Sequence, residues 1–134
     1  MLPGAASPKQ ILKATALFAA LDESELSSLA ARCGTRTHAA GELLFSEGEP
    51  CQGLHIVISG RIRIFKASPN GREQVLAVEG RGASVAELPV FDGGGYPASA
   101  SALEKTETLF ISRSDLRAIC LEKPEVSLKL PSRH

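Results

Sequence analysis

The chain has 134 residues, of which 43% are hydrophobic and 22% are charged, an ordinary composition for a globular domain. Fifteen basic residues balance fifteen acidic ones, so no overall positive charge attracts nucleic acid or an anionic membrane. The apolar runs are too short for a membrane-spanning helix, and the N-terminus lacks the pattern of a signal peptide. We therefore expect one cytoplasmic domain, residues 1–134, with no membrane partner.

Residues 1–34 are predicted to form a helical N-terminal segment. Ser7 can cap a first helix that runs from Pro8 to about Phe18, because serine is a good N-cap and proline a good first residue. A second helix is indicated by the capping-box pattern of residues 22–25. Its apolar stripe repeats at helical spacing: Leu26, Leu29, Ala30 and Cys33. We expect Gly34 to end this helix in the left-handed conformation.

Residues 35–111 change to the pattern of short strands separated by glycine-bearing turns. Alternating or continuous apolar runs predict strands at 43–45, 54–59, 61–65, 72–78, 98–103 and 107–111. Asn70 and Gly71 predict a hairpin turn, since both residue types tolerate positive φ. Strands at this spacing without helical crossovers indicate a mainly-β fold, an antiparallel double-stranded β-helix (jelly-roll) barrel flanked by short N- and C-terminal helices.

Residues 112–134 are predicted to form two short helices. Ser112 can cap the first of these, and Pro124 can begin the second. Pro131 is expected to end it after about two turns. No helix-turn-helix is predicted in this stretch, so the chain by itself is not expected to bind DNA.

The cysteines and histidines are too scattered to predict a metal or catalytic centre. No pair among Cys33, Cys51 and Cys120 has metal-ligand spacing. His38 and His55 stand alone without an H-x-H pair, which weakens the alternative of a cupin-like metalloenzyme. No combination of nucleophile and base, and no pair of carboxylates, stands out. We predict that the chain is not an enzyme and holds no metal.

The order of these signals resembles the cyclic-nucleotide-binding domain of the Crp/Fnr transcription regulators. The similarity runs through LFAALDESELSSLA, GELLFSEGEP, LHIVISGRIRIF, GREQVLAVEGRG and FISRSDL, with turn glycines in matching order at 41, 48, 60, 71 and 82. The resemblance implies a β-roll that binds a small effector and transmits its presence to a regulator of transcription.

The resemblance also implies a phosphate-binding cassette at residues 86–103, AELPVFDGGGYPASASAL. In the family a G-E-L-A-L turn supplies backbone N–H groups and a glutamate for the ribose, and an R-[SA]-A-T segment supplies an arginine for the phosphate. An ungapped alignment from the final Ala-Leu assigns Ala86 to the glycine, Glu87 to the glutamate and Tyr96 to the arginine. Pro89 and Pro97 fall on positions whose N–H groups would face the phosphate, and proline has no N–H.

The cassette supplies the candidate ligand-binding residues, which are Ala86, Glu87, Leu88, Tyr96, Ala98 and Ser99. Because the arginine and two N–H donors are replaced, we expect weak binding of cyclic AMP. The leading hypothesis is therefore an effector-sensing regulatory domain with a degenerate cassette. A working receptor for cyclic AMP or cyclic GMP is the alternative. The effector is not predicted, and a weak homodimer or a partner protein is left open.

Overall fold

The computed structural model of the chain describes residues 6–86, 89–90 and 93–130. The helices are α1 (Pro8–Ala14), α2 (Glu23–Ala30), α3 (Arg113–Glu122) and α4 (Pro124–Lys129), with a short 3₁₀ turn at Ala16–Phe18. The strands are β1 (Gly34–His38), β2 (Leu43–Phe45), β3 (Gly53–Ser59), β4 (Ile62–Ala67), β5 (Glu73–Glu79), β6 (Ser84–Val85), β7 (Ser99–Ala102) and β8 (Thr106–Ser112).

The first helix begins as predicted but ends four residues early. Ser7 caps α1 through a capping box with Gln10. The helix stops at Ala14 because Thr15 is extended, with φ −86° and ψ 128°, and its hydroxyl donates to the Ile11 carbonyl at 2.8 Å. This break lets the separate turn at Ala16–Phe18 direct two large apolar side chains into the core.

The second helix is confirmed, whereas the predicted role of Gly34 is wrong. Asp22 and Glu25 form the expected capping box of α2. At the other end, the Arg32 and Cys33 N–H groups donate to the carbonyls three residues earlier. Those bonds satisfy the last carbonyls without a left-handed residue. Gly34 instead begins β1, where it pairs with Phe110.

The eight strands form two antiparallel four-stranded sheets, ordered β1-β8-β3-β6 and β2-β7-β4-β5. The predicted mainly-β architecture with short flanking helices is confirmed, but the sheets do not close into one barrel. The two-residue strand β6, which the sequence did not predict, extends the first sheet through its pairing with β3. In the hairpin that joins β4 and β5, only Gly71 takes a positive φ, +85°.

Two apolar clusters hold these layers together. The first packs the helices against one face of the first sheet and includes Leu12, Phe18, Leu26, Leu54, Ile56, Leu109, Ile111, Leu116 and Ile119. The second lies between the sheets and consists of Phe45, Val57, Ile62, Val85, Tyr96 and Ala100. Strand β3 contributes to both clusters, and its residues 53–57 are buried on both faces of the sheet. The inter-sheet cluster is the one that borders the predicted cassette.

Candidate functional site

A cavity of about 160 Å³ opens beside the inter-sheet cluster, where β4, β5 and the ends of the cassette meet. Four residues of the cassette line it: Ala86, Tyr96, Pro97 and Ala98. The other described lining residues come from strands of the two sheets: Phe45, Ile64, Glu79, Ser84 and Val85. Sequence reasoning missed these five, because only the pairing of distant strands brings them to one cavity.

Tyr96 is a buried member of the core, with 3% of its surface exposed. Its ring stacks on Phe45 with centroids 3.8 Å apart and the planes 10° from parallel. Its hydroxyl oxygen accepts a hydrogen bond from the Gln52 N–H at 2.8 Å. Burial raises the pKa of the phenol, so the side chain stays neutral. The backbone N–H of Tyr96 donates to the Glu49 carbonyl at 3.0 Å. Tyr96 is therefore held in place by its ring, its hydroxyl and its backbone.

Ala86 has a backbone conformation that glycine adopts readily, with φ +74°. Within the described residues it is the single non-glycine residue with positive φ. The left-handed conformation costs an L-residue about 1–2 kcal/mol because Cβ approaches the following carbonyl. Ala86 therefore holds a strained turn directly after β6, at the position aligned with the cassette glycine.

The remaining predicted site residues are distributed unevenly around the cavity. Ala98 is buried and lines it. Ser99 lies on β7, where its hydroxyl accepts a hydrogen bond from the Glu47 N–H at 2.9 Å, and it is not among the lining residues. Glu87 and Leu88 lie outside the described residues. The structure thus brings Ala86, Tyr96 and Ala98 together and leaves Ser99 engaged elsewhere.

The described lining of the cavity is apolar with one carboxylate, that of Glu79. No Lys or Arg belongs to this part of the wall. Two nearby guanidinium groups are engaged in ion pairs. Arg61, just before β4, pairs with Glu104 at 3.0 Å, and Arg63 on β4 pairs with Glu73 at 2.8 Å. The described side chains therefore repel an anion, because they present a negative charge and no positive one.

The family model of the cyclic nucleotide-binding domain matches residues 35–123, about two thirds of the chain. The chain belongs to this family. The resemblance predicted from the turn glycines and strand order is confirmed, and the match extends from β1 to the end of α3.

Several relatives and solved structures of this domain come from bacterial regulators. The chain is 31% identical over 121 residues to the CRP-like cAMP-activated global transcriptional regulator of Mycobacterium tuberculosis, with 90% of this chain and 54% of that protein covered. It is 33% identical over 119 residues to the cyclic AMP receptor protein of Thermus thermophilus, with 89% and 55% covered. The N-terminal domain of a Streptomyces coelicolor transcriptional regulator superimposes with a TM-score of 0.81 at 37% identity, covering 90% of this chain and 84% of that one.

The chain thus spans about half the length of the curated relatives it matches. Both relatives are named as regulatory receptors or transcription regulators, and the structural neighbour is the N-terminal domain of one. These findings support an effector-sensing regulatory domain of the Crp-like type.

This cyclic nucleotide-binding domain also contains a buried polar chain that sequence reasoning missed. The rings of His38 and His55, which are isolated from each other in sequence, lie with centroids 5.9 Å apart. Both hydrogen-bond to Thr108 Oγ1, at 3.1 Å and 3.3 Å, and His38 Nδ1 lies 3.1 Å from the Glu42 carboxylate. Burial is the main cause that lowers the pKa of His55 to about 3, and electrostatic interactions with His38 and Arg36 lower this pKa further. His55 is therefore neutral in the folded domain.

The histidine pair was unpredictable because β8 separates β1 from β3 in the sheet, and only that topology brings the two rings to a common hydroxyl. In residues 6–86, 89–90 and 93–130, no three His, Cys, Asp or Glu side chains gather as a metal-binding group. In the same ranges, none of the helices is long and apolar enough to cross a lipid bilayer.

Proposed function

We propose that this chain is the effector-sensing domain of a Crp/Fnr-type transcription regulator and that its cassette does not hold cyclic AMP tightly. The observation that carries the proposal is the burial of Tyr96 at the position aligned with the family arginine. Its ring and hydroxyl are already engaged by Phe45 and the Gln52 N–H. A side chain used in this way supports the fold and leaves no cation for a phosphate.

The missing donors decide the expected affinity. A charge-assisted hydrogen bond contributes about 1.5–3 kcal/mol and a neutral one about 1 kcal/mol. Replacement of the arginine by Tyr96 would remove one charge-assisted hydrogen bond. The absence of N–H donors at Pro89 and Pro97 would remove two neutral hydrogen bonds. At about 1.4 kcal/mol per tenfold, that loss corresponds to an affinity lower by about three orders of magnitude.

The size and charge of the cavity support the same conclusion. Pockets for drug-sized ligands usually measure about 300–1,000 Å³, whereas this cavity measures about 160 Å³. The carboxylate of Glu79 in its wall would repel a cyclic phosphate. A smaller effector without a negative charge fits this arrangement better than a nucleotide does.

A working cyclic-nucleotide receptor is the second candidate. It is favoured by the relatives named as cAMP-activated or as a cyclic AMP receptor, at 31% and 33% identity. In that case the phosphate would be held by groups other than the aligned arginine.

Calorimetric titration with cyclic AMP and cyclic GMP separates the two candidates. We expect no saturable heat from the native chain at micromolar nucleotide, and partial recovery in a Tyr96→Arg/Pro97→Ser double variant. Pro97→Ser alone is the matched control, since Pro97 is exposed and the change restores one N–H without the guanidinium. Thermal unfolding checks that the buried arginine is tolerated. Micromolar binding by the native chain would overturn the proposal whatever the variants do.

For the whole protein, we propose that residues 1–134 act as one cytoplasmic sensing unit without enzymatic activity. Its net charge of zero supports the expectation that this unit does not bind DNA alone. The signal would then pass to a DNA-binding partner, either another part of the same protein or a separate one. Sedimentation of the chain with and without its effector would detect a weak homodimer.

A further inference from the structure

We propose that the cavity between the sheets binds a small cationic aromatic molecule, a single flat ring that carries an amine or amidine, with Glu79 as its charge partner. The inference rests on the proposed function, because a cassette that held a cyclic phosphate tightly would exclude such a ligand. It adds the chemical class of the effector. The size of the cavity, its apolar walls and the one charge among its described lining residues support it.

The volume of the cavity limits the ligand to about one ring. An apolar protein cavity of about 150 Å³ holds one benzene molecule, and this cavity measures about 160 Å³. A purine nucleotide, which joins two fused rings to a ribose and a phosphate, needs more room. A monocyclic ligand needs no displacement of the surrounding core.

The walls of the cavity favour a flat apolar ring over a polar group. Phe45 and Tyr96 are stacked in the wall, and Ile64 and Val85 add apolar surface. The faces of the two rings cover each other, and 7% of Phe45 and 3% of Tyr96 are exposed. These side chains therefore contribute apolar wall rather than an open aromatic face, and such a wall favours burial of an apolar ring. The hydroxyl of Tyr96 is already engaged by the Gln52 N–H, so the polar recognition must come from another group.

Glu79 is the one charged residue in the described lining of this space. It pairs across the strands with Ile62, which is fully buried in the inter-sheet cluster, and directly opposed residues project to the same face of a sheet. Among the described residues, no Lys, Arg or His nitrogen lies within ion-pair distance of its carboxylate. Glu73 at the other end of β5 is different, because Arg63 neutralises it at 2.8 Å.

A carboxylate beside apolar walls gains most from a ligand that brings both a positive charge and hydrogen-bond donors. An amidine or a protonated amine on a ring has both properties. An anionic ring would meet repulsion from Glu79, and a neutral ring would leave the carboxylate without a partner. The predicted order of affinity is therefore cation, then neutral molecule, then anion.

Three ring compounds of similar size test this order by calorimetry on the native chain: benzamidine, benzyl alcohol and benzoate. We expect saturable binding of benzamidine, binding of benzyl alcohol weaker by about tenfold, and no binding of benzoate. The tenfold difference is the smaller end of what one charge-assisted hydrogen bond contributes.

Two variants locate the effect. Glu79→Gln keeps the shape of the side chain and should weaken benzamidine about tenfold while leaving benzyl alcohol unchanged. Glu73→Gln removes an equal charge from the same strand and should leave both affinities unchanged. Because Glu79 is partly exposed, the glutamine variant is expected to fold, which thermal unfolding verifies.

Several results would overturn the inference. The first is a failure of benzamidine to bind at millimolar concentration. The second is binding of benzoate or benzyl alcohol that is as tight as binding of benzamidine. The third is an unchanged affinity for benzamidine in Glu79→Gln. The nucleotide titration tests the proposed function separately. Weak cyclic AMP binding together with any of these results would leave the proposed function standing and reject only the ligand class.

Discussion

Removal of the Tyr96 hydroxyl and then of the whole ring tests whether this residue belongs to the core. Tyr96→Phe keeps the stack on Phe45 and removes the oxygen that accepts the Gln52 N–H at 2.8 Å. Gln52 is exposed, so water can reach the freed N–H and limit the cost to about 1 kcal/mol. For a domain of this length, that lowers the melting temperature by about 3 °C.

Tyr96→Ala should cost about 3–5 kcal/mol, because it removes a large buried ring and leaves a cavity beside Phe45. Urea unfolding followed by circular dichroism measures both variants against the native chain, and an unchanged dependence on urea shows that the folded states are comparable. A Tyr96→Ala cost below about 1 kcal/mol would refute the reasoning. In that case Tyr96 would be available for a ligand, and the main support for the proposed function would fall.

Three further predictions concern backbone strain and burial. Gly60→Ala should destabilise the fold by at least about 3 kcal/mol and Gly71→Ala by about 1 kcal/mol. Both glycines have positive φ, +87° and +85°, but of the two only Gly60 would place its new Cβ against backbone, 2.5 Å from the Lys105 carbonyl oxygen. Equal losses of stability in urea unfolding would contradict this prediction. Ala86→Gly should raise the free energy of unfolding by about 0.5–1 kcal/mol, because relief of the left-handed strain exceeds the entropy cost of glycine. A loss of stability would show that packing of the Ala86 methyl group outweighs this strain. His55 is protonated below about pH 6.5 in the unfolded chain but only below about pH 3 in the folded chain. Between these values the unfolded state binds more protons, so the free energy of unfolding should fall with decreasing pH by up to about 1.4 kcal/mol per pH unit. A His55→Gln variant should lose this contribution to the pH dependence.

Local sequence signals predicted those features whose causes lie within a few residues. The Ser7 cap of α1 and the capping box of α2 need only a side chain and the N–H three residues on, so their patterns were sufficient. The positive φ of Gly71 follows from hairpin chemistry in the same way. The order of turns and strands was also enough to predict the family.

The chain alone could not predict contacts between distant segments. Gly34 looked like a helix stop, but it pairs with Phe110 in the first sheet. His55 stood alone in the sequence, yet it is buried beside Thr108 of β8 and Phe45 of the second sheet. Each departure has the same origin, which is a neighbour many residues away.

The cassette combines both kinds of information. The sequence by itself determined which donors are missing, because proline has no N–H and tyrosine has no guanidinium. Only the tertiary structure decided where Tyr96 goes, into the stack with Phe45, and which single charge borders the described part of the cavity, that of Glu79. Composition specifies the groups that a site can offer, whereas packing between the two sheets determines which of them face the ligand.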